Sequence, residues 1–313
     1  MPELRAKVIV NPKAGSCSVS REWPAISRQL DYIGLSFDYE FTREVGHAIT
    51  ITQKAIKSGY NYLIAVGGDG TVNEVANGIL RSGYASDLIL GIVSTGTAHA
   101  FSLSLGIVGD NKNLIDYSFL DGKKSALIDV GLVQCLNQGK IIENYFLNQA
   151  SIGLSAEVVD SWKYLPNRFG KDINLALRTI TAYRSLAVHR NKNINIKFKD
   201  EVKCAPICTV IVANGRYYAD KMLIAPHASL EDSLLDVIIV GNVSKYEVLK
   251  IVPTLYTGNH IHHPKIREKK AVVVKIESDA RLLVEADGDV LGECPASFWI
   301  KPAELSVVIP NLP

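Results

Sequence analysis

The sequence predicts an α/β N-terminal domain built on a parallel sheet, followed by a mainly antiparallel β-sandwich C-terminal domain. Up to about Lys123, strand-like apolar runs alternate with helix-like segments, the rhythm of βαβ units. From about Ser125, short β-type runs dominate and only two helical patterns interrupt them. The boundary falls in a soft stretch near Lys123–Asp129, dividing the chain into 1–128 and 129–299, with residues from about 300 to 313 returning to the first domain.

Taken in order, Lys7–Val10 is a β-branched run that stops at the Asn11-Pro12 turn. A helix is expected at Trp23–Gly34, a strand at Phe37–Phe41 and a helix at His47–Ser58. Tyr62–Val66 is continuously apolar, as a strand buried on both faces must be. Thr71–Leu80 reads as a helix, Leu88–Val93 as another buried strand, and Ala98–Leu105 as a helix. The expected strands of the second domain are 126–133, 144–149, 194–198, 207–213, 235–240, 271–276, 282–285 and 305–309. Its helices are Ile173–Val188 and Lys245–Leu255. On a helical wheel of the former, Asn174, Arg178, Thr181 and Ser185 share a polar face, and Ile173, Leu177 and Ile180 form an apolar stripe that takes in Arg184.

Composition narrows the class. With 313 residues, 47% of them hydrophobic and 21% charged, the chain has the make-up of a folded two-domain protein, not a disordered one. No apolar run approaches the roughly 18–20 residues that span a bilayer, and the charged start reads as a first strand, not a signal peptide. Five scattered cysteines (Cys17, Cys135, Cys204, Cys208, Cys294) lack the second pair that a zinc site needs. They are expected as free buried thiols, which implies a cytoplasmic protein. His260, His262 and His263 are expected in a surface turn. The net charge of +2 says little, but residues 161–199 hold nine basic side chains and one acid. That segment is either a solvated helix with a basic edge strand or a contact for an anionic partner. Nucleic acid is disfavoured because no recognition motif accompanies the charge.

The most informative stretch runs from Leu63 to Val75, with Gly67-Gly68-Asp69-Gly70-Thr71 between a buried strand and a helix. Glycines let backbone approach an anion, and a helix start offers unpaired N–H groups. A carboxylate inside such a loop repels phosphate unless it binds Mg²⁺ or takes a proton from an attacking hydroxyl, so Asp69 points to phosphoryl transfer. The competing structural role is a cap on the helix that starts at Thr71. Two further strand-turn-helix junctions accompany it, Asn11-Pro12-Lys13-Ala14-Gly15 and Ser94-Thr95-Gly96-Thr97. Strand C-terminal ends of a parallel sheet converge on one side, where ligands bind.

Asn-Pro-x-x-Gly at 11–15, Gly-Gly-Asp-Gly-Thr at 67–71 and Gly-Thr at 96–97, in this order, resemble the diacylglycerol kinase catalytic-domain family, which includes soluble bacterial lipid kinases and sphingosine kinases. The likeness continues through Ile128-Asp129-Val130-Gly131, Val212-Ala213-Asn214-Gly215, Leu235-Asp236-Val237 and Asp287-Gly288-Asp289. The resemblance implies a phosphofructokinase- or NAD-kinase-like first domain, ATP and Mg²⁺ as cofactors, and a lipid substrate. It implies catalytic roles for Asp69, Asp129 and Asp289. It implies nucleotide contacts from Asn11, Pro12, Lys13, Gly15, Thr42, Gly67, Gly68, Gly70, Thr71, Glu74, Thr95, Gly96, Thr97, Arg168 and Asp287. Metal would be held by Asp69 and Asp129, with Asp232 in a structural site.

The sequence departs from the family pattern at four places. His99 and Ala100 stand where Asn and Asp are usual, Asp289 replaces a Glu, and Glu231-Asp232-Ser233 stands in place of Asp-Asp-Gly. The expected function is an ATP-dependent lipid kinase acting on a diacylglycerol-like hydroxyl, cytoplasmic, with transient membrane-surface contact; a homodimer is compatible. The alternatives are a non-catalytic nucleotide or lipid sensor of the same fold and an NAD kinase-like phosphotransferase.

Overall fold

The computed structural model describes residues 4–95, 99–107, 118–122, 124–163, 165, 171–199, 201–219 and 221–310. In chain order the elements are β1 (Ala6–Val10), α1 (Ala14–Cys17), α2 (Val19–Tyr32), β2 (Phe37–Phe41), α3 (His47–Lys57), β3 (Tyr62–Gly67), α4 (Asp69–Leu80), β4 (Ile89–Ser94) and α5 (Ala100–Ser104). There follow β5 (Ser125–Asn137), β6 (Lys140–Phe146), β7 (Gln149–Gly153), α6 (Leu154–Trp162), α7 (Lys171–Val188), β8 (Lys192–Lys197), β9 (Val202–Ile207) and β10 (Thr209–Ala213). The last are β11 (Tyr217–Tyr218), β12 (Met222–Leu223), β13 (Leu235–Val240), α8 (Lys245–Thr254), β14 (Ile266–Ala271), β15 (Val273–Glu277), β16 (Leu283–Ala286) and β17 (Asp289–Val308). The chain divides into two compact units, residues 1–130, 219–221 and 302–313 in one and 131–218 and 222–301 in the other.

In the first unit β2, β1, β3 and β4 pair in parallel, and the C-terminal end of β17 joins β4 through Ser306 and Val307. Strand alternation sends Val8, Val10, Ile64 and Val66 to one face, where α2 packs Val19, Trp23, Ile26 and Leu30 against them. Helices α3 and α4 pack against β1, β3 and β4. All six residues of β3 are buried, which is why its sequence shows no polar alternation. A parallel sheet wound on both faces leaves the turns after β1, β3 and β4 at a common edge.

The second unit is antiparallel. Strands β14, β13, β10, β7 and β16 form a run, β16 pairs β17, and β17 pairs β15, then β8 and β9. Between the layers lies a core of Ile152, Ile194, Ile196, Val210, Val212, Val237, Val274, Ile276, Val284 and Phe298. On the outer face, Leu154, Leu186, Ile211, Ile238 and Ile251 join α6, α7 and α8 to the sheet.

Several sequence expectations are corrected. The strand expected at 144–149 is two strands, β6 and β7, broken at Leu147-Asn148. The strand expected at 207–213 breaks at Cys208, whose N–H bonds across to the carbonyls of Val240 and Gly241. In α7 the described part of the expected apolar stripe is only partly covered, with Leu177 half-buried. Ile180 is 63% exposed, whereas Ser185 and Leu186 are buried. Leu186 packs into the outer-face cluster, and just past the helix the buried His189 bonds Glu157 Oε2 from Nδ1 at 2.7 Å. Cys204 is exposed, unlike the buried Cys135 and Cys208. His260 is buried, with Nε2 bonded to the Ile224 carbonyl at 2.9 Å, not displayed in a surface turn. Among the described residues no helix is long and apolar enough to cross a membrane.

Candidate active site

Backbone hydrogen bonds lock the three loops at the sheet edge together. Asn11 N–H donates to the Val66 carbonyl at 2.9 Å and Thr95 N–H to the Gly67 carbonyl at 2.9 Å. The Asn11 side chain donates from Nδ2 to Thr71 Oγ1 at 2.9 Å and accepts from Lys13 N–H at 3.0 Å. Thr71 can come this close to the strand because residue 67 is glycine: a Cβ there would stand 2.5 Å from Thr71 Oγ1. Gly15 has φ +59°, and a Cβ on it would meet the Thr95 carbonyl at 2.7 Å, so the first and third loops meet only through a bare backbone. The Lys13 ammonium reaches the Arg43 carbonyl at 3.4 Å, and Thr42 N–H bonds the Val10 carbonyl at 2.8 Å. The structure therefore brings together Asn11, Pro12, Lys13, Gly15, Thr42, Gly67, Gly68, Asp69, Gly70, Thr71 and Thr95.

Asp69 opens α4 behind Gly68, whose extended ψ of −178° turns the chain out of β3. It does not cap its own helix. Its Oδ2 accepts Ala100 N–H at 3.1 Å and its Oδ1 accepts Phe101 N–H at 3.2 Å, so it holds the start of α5. Burial pushes its carboxyl up, while the two N–H bonds favour the ionised form. A carboxylate offers about four lone-pair sites, so two N–H bonds leave capacity toward a metal or a hydroxyl. Above it, His99 is buried in a left-handed conformation (φ 53°), and its Nδ1 shares a hydrogen bond of 2.5 Å with Ser94 Oγ.

The residues fit a nucleotide phosphate and its ion. At Gly70 none of the described residues lies within 4 Å of where a Cβ would stand, so among them there is room at the start of a helix for an anion. Among the described residues no three His, Cys, Asp or Glu side chains gather as a ready-made metal cage. Mg²⁺ entering with a triphosphate needs only one or two carboxylates besides phosphate and water, which Asp69 suits.

Other expected site residues have partners of their own. Glu74 accepts Gly46 N–H at 2.8 Å and Ala48 N–H at 3.1 Å, anchoring the start of α3. Asp129 is buried, and its Oδ1 accepts Ala303 N–H at 2.8 Å. In the second unit Asp287 accepts the N–H groups of Leu147, Asn148 and Gln149 at 2.7, 3.0 and 3.0 Å, fixing the break between β6 and β7. Asp289 is exposed at the start of β17. Asp232, expected as a metal ligand, has Lys270 Nζ at 2.6 Å on Oδ2 and Leu234 N–H at 3.1 Å on Oδ1. Gly96, Thr97 and Arg168 lie outside the described residues.

One acid was not anticipated from the sequence. Glu285 is fully buried beside the 287–289 turn, accepting Ser151 Oγ–H at 2.6 Å and Gly288 N–H at 2.7 Å, with the Tyr218 hydroxyl at 3.5 Å. Burial, aided by the charges of Asp287 and Asp289, holds its carboxyl up at about 7. An acid in an otherwise apolar strand next to an Asp-Gly-Asp turn was the available signal.

Comparison with known proteins bears on the family and the fold. Residues 5–133 match the family described as the diacylglycerol kinase catalytic domain, and residues 151–309 match the YegS C-terminal NAD kinase beta sandwich-like domain. A diacylglycerol kinase of Staphylococcus saprophyticus is 28% identical over 98% of this chain and 96% of its own, and one of Staphylococcus aureus is 28% identical over 98% and 93%. A crystal structure of a diacylglycerol kinase from Bacillus anthracis superposes with a TM-score of 0.72 at 20% identity, covering 99% of this chain and 98% of that one. Yeast NADH kinase complexed with NADH gives a TM-score of 0.54 at 10% identity over 98% and 84%. At such identities the two structures speak to the fold alone. The parallel sheet with its glycine loop and the antiparallel sandwich thus have known counterparts along the whole chain, and the protein belongs to the diacylglycerol kinase catalytic-domain family.

Proposed function

We propose that this protein is a lipid kinase that transfers the γ-phosphoryl group of Mg²⁺-ATP to the hydroxyl of a diacylglycerol-like lipid. The observation that carries the reading is Asp69: a carboxylate seated in a glycine loop, where the ends of β1, β3 and β4 meet and no described residue crowds Gly70.

In this reading the bare backbone of the glycine loop and the start of α4 bind the phosphates by N–H groups and by the helix dipole. Asn11, through Thr71, and Gly15, against Thr95, keep the three loops in register so that those N–H groups point to one place. Asp69 orients the lipid hydroxyl and takes its proton as the oxygen attacks phosphorus. Burial raises the affinity of its carboxylate for that proton, while the N–H groups of Ala100 and Phe101 favour the ionised form. The proton moves from the lipid oxygen to Asp69, the new O–P bond forms, and ADP leaves. When bound with the nucleotide, Mg²⁺ would be held beside Asp69 and would neutralise charge on the transferring group.

A second reading, a nucleotide-binding protein without transfer, is favoured by one observation: both oxygens of Asp69 already bond backbone at Ala100 and Phe101. Incubation with γ-labelled ATP and a panel of diacylglycerol, sphingoid bases and NAD separates the readings. Label in a lipid supports the kinase, label in NAD selects the soluble-substrate alternative, and nucleotide binding with no labelled product selects the sensor.

A further inference from the structure

Helix α8 is apolar on two sides, and the core accounts for only one of them. Val248, Ile251 and, just past the helix, Leu255 pack into the cluster that joins the helices to the sheet. On the other side Tyr246, Leu249, Pro253 and Tyr256 are spaced three, four and three residues apart, which makes one stripe on a 3.6-residue helix. Tyr256 stands in the turn that prolongs the helix, its N–H reaching the Pro253 carbonyl at 3.4 Å. Tyr246 is 66%, Leu249 43% and Tyr256 54% exposed. Isolated surface apolar residues need no explanation, but a contiguous stripe rimmed by charge marks an interaction site.

The rim identifies the partner. Lys245 and Lys250 flank the stripe, and the Lys250 ammonium sits 4.4 Å over the Tyr246 ring. The helix's acid, Glu247, is engaged by Lys265 at 2.8 Å and by Ser244 N–H, so the rim stays positive. Lys245 also bonds the Ala187 carbonyl at the end of α7. There Val188 is 73% exposed between Arg184 and Arg190, repeating the same chemistry alongside. A second copy docked symmetrically on this face would set lysine against lysine. An anionic lipid surface satisfies every group: tyrosines favour the headgroup level, Leu249 the acyl boundary, and the lysines the anionic headgroups.

We infer that the outer face of α8 is the surface by which the protein rests on an anionic membrane; this rests on the lipid-kinase reading and says which face meets the lipid. The test is cosedimentation of the full chain with two kinds of vesicle. One is pure phosphatidylcholine, and the other contains about a third phosphatidylglycerol. Wild type is expected to bind the anionic vesicles and to bind the neutral ones far less. The double variant Tyr246→Glu/Leu249→Glu should bind anionic vesicles at least about tenfold more weakly, and Lys250→Gln about fivefold more weakly. Both should keep the wild-type melting temperature and wild-type turnover of a short-chain, water-dispersed diacylglycerol. Wild-type binding by the double variant, or no anionic binding by wild type, would overturn the assignment. Vesicle binding lost in the variant while wild type phosphorylates no lipid would uphold the surface and reject the kinase. Lipid phosphorylation with equal vesicle binding would do the reverse.

Discussion

Replacing Glu285 by glutamine should stabilise the protein in alkaline solution and change it little in acid. Glu285 has no exposed surface, and in the described structure its carboxyl is met by hydroxyls and an N–H group but by no cation. Burial lifts it from an ordinary 4.5 to about 7. In the unfolded chain the proton is lost near 4.5, whereas the folded protein keeps it until about 7. Below 4.5 both states are protonated and the group does not oppose folding. Between the two values the folded state binds more protons, so stability falls as pH rises. Above 7 both states are ionised and the full difference, about 2.5 pH units or ~3 kcal/mol, is lost. Glutamine has the shape of the protonated acid. Its carbonyl can accept Gly288 N–H, its amide can donate to Ser151 Oγ, and it never ionises. Urea unfolding followed by circular dichroism, at about pH 5 and pH 8.5, should show a gain of under ~1 kcal/mol at the lower pH and of ~2–3 kcal/mol at the higher. Equal effects at both pH values, or a loss at the higher one, would refute the reasoning.

Other outcomes follow from the same geometry. Lys270→Met leaves the fully buried Asp236, whose carboxyl burial holds at about 6, without the ammonium 3.6 Å away, and Asp232 without its 2.6 Å partner. Because Lys270 is partly exposed, urea unfolding should show a loss of about 2 kcal/mol, with Asp236→Asn in the same chain restoring much of it. Since an ammonium already serves these acids, EDTA should leave the melting temperature of the nucleotide-free protein unchanged; a clear drop would point to a bound divalent ion. Gly15→Ala forces a side chain into φ +59° and against the Thr95 carbonyl, so it should lower stability by about 1–2 kcal/mol and weaken ATP binding measured by calorimetry. Unchanged affinity would mean that the contact between the first and third loops does not shape the phosphate site.

Much of the fold was legible in the sequence because its signals are local. The continuous apolar runs of β3 and β4 and the glycine loop after β3 announce buried strands and a turn without reference to the rest of the chain. The break at Leu147-Asn148 was not legible, because its N–H groups are collected by Asp287, 140 residues away. The packing of α7 was misread for the same reason: Leu186 is buried among Leu154, Ile211, Ile238 and Ile251, which come from other elements. At the candidate site, the loop residues and Asp69 could be found from spacing. Its bonds to Ala100 and Phe101 could not, since they depend on how α5 is placed after β4. Glu285 escaped because its partners come from β7, β11 and the following turn, which only pairing of β16 with β7 assembles.

The central claim is that Asp69 takes the proton of a lipid hydroxyl during phosphoryl transfer. Its most direct test is the transfer of label from γ-labelled ATP to diacylglycerol by wild type and by Asp69→Asn, with ATP affinity measured in parallel. The account predicts labelled phosphatidic acid from wild type, a rate at least about a hundredfold lower from the variant, and ATP binding retained in both. Equal labelling by the two proteins, or no labelled lipid from wild type, would contradict it.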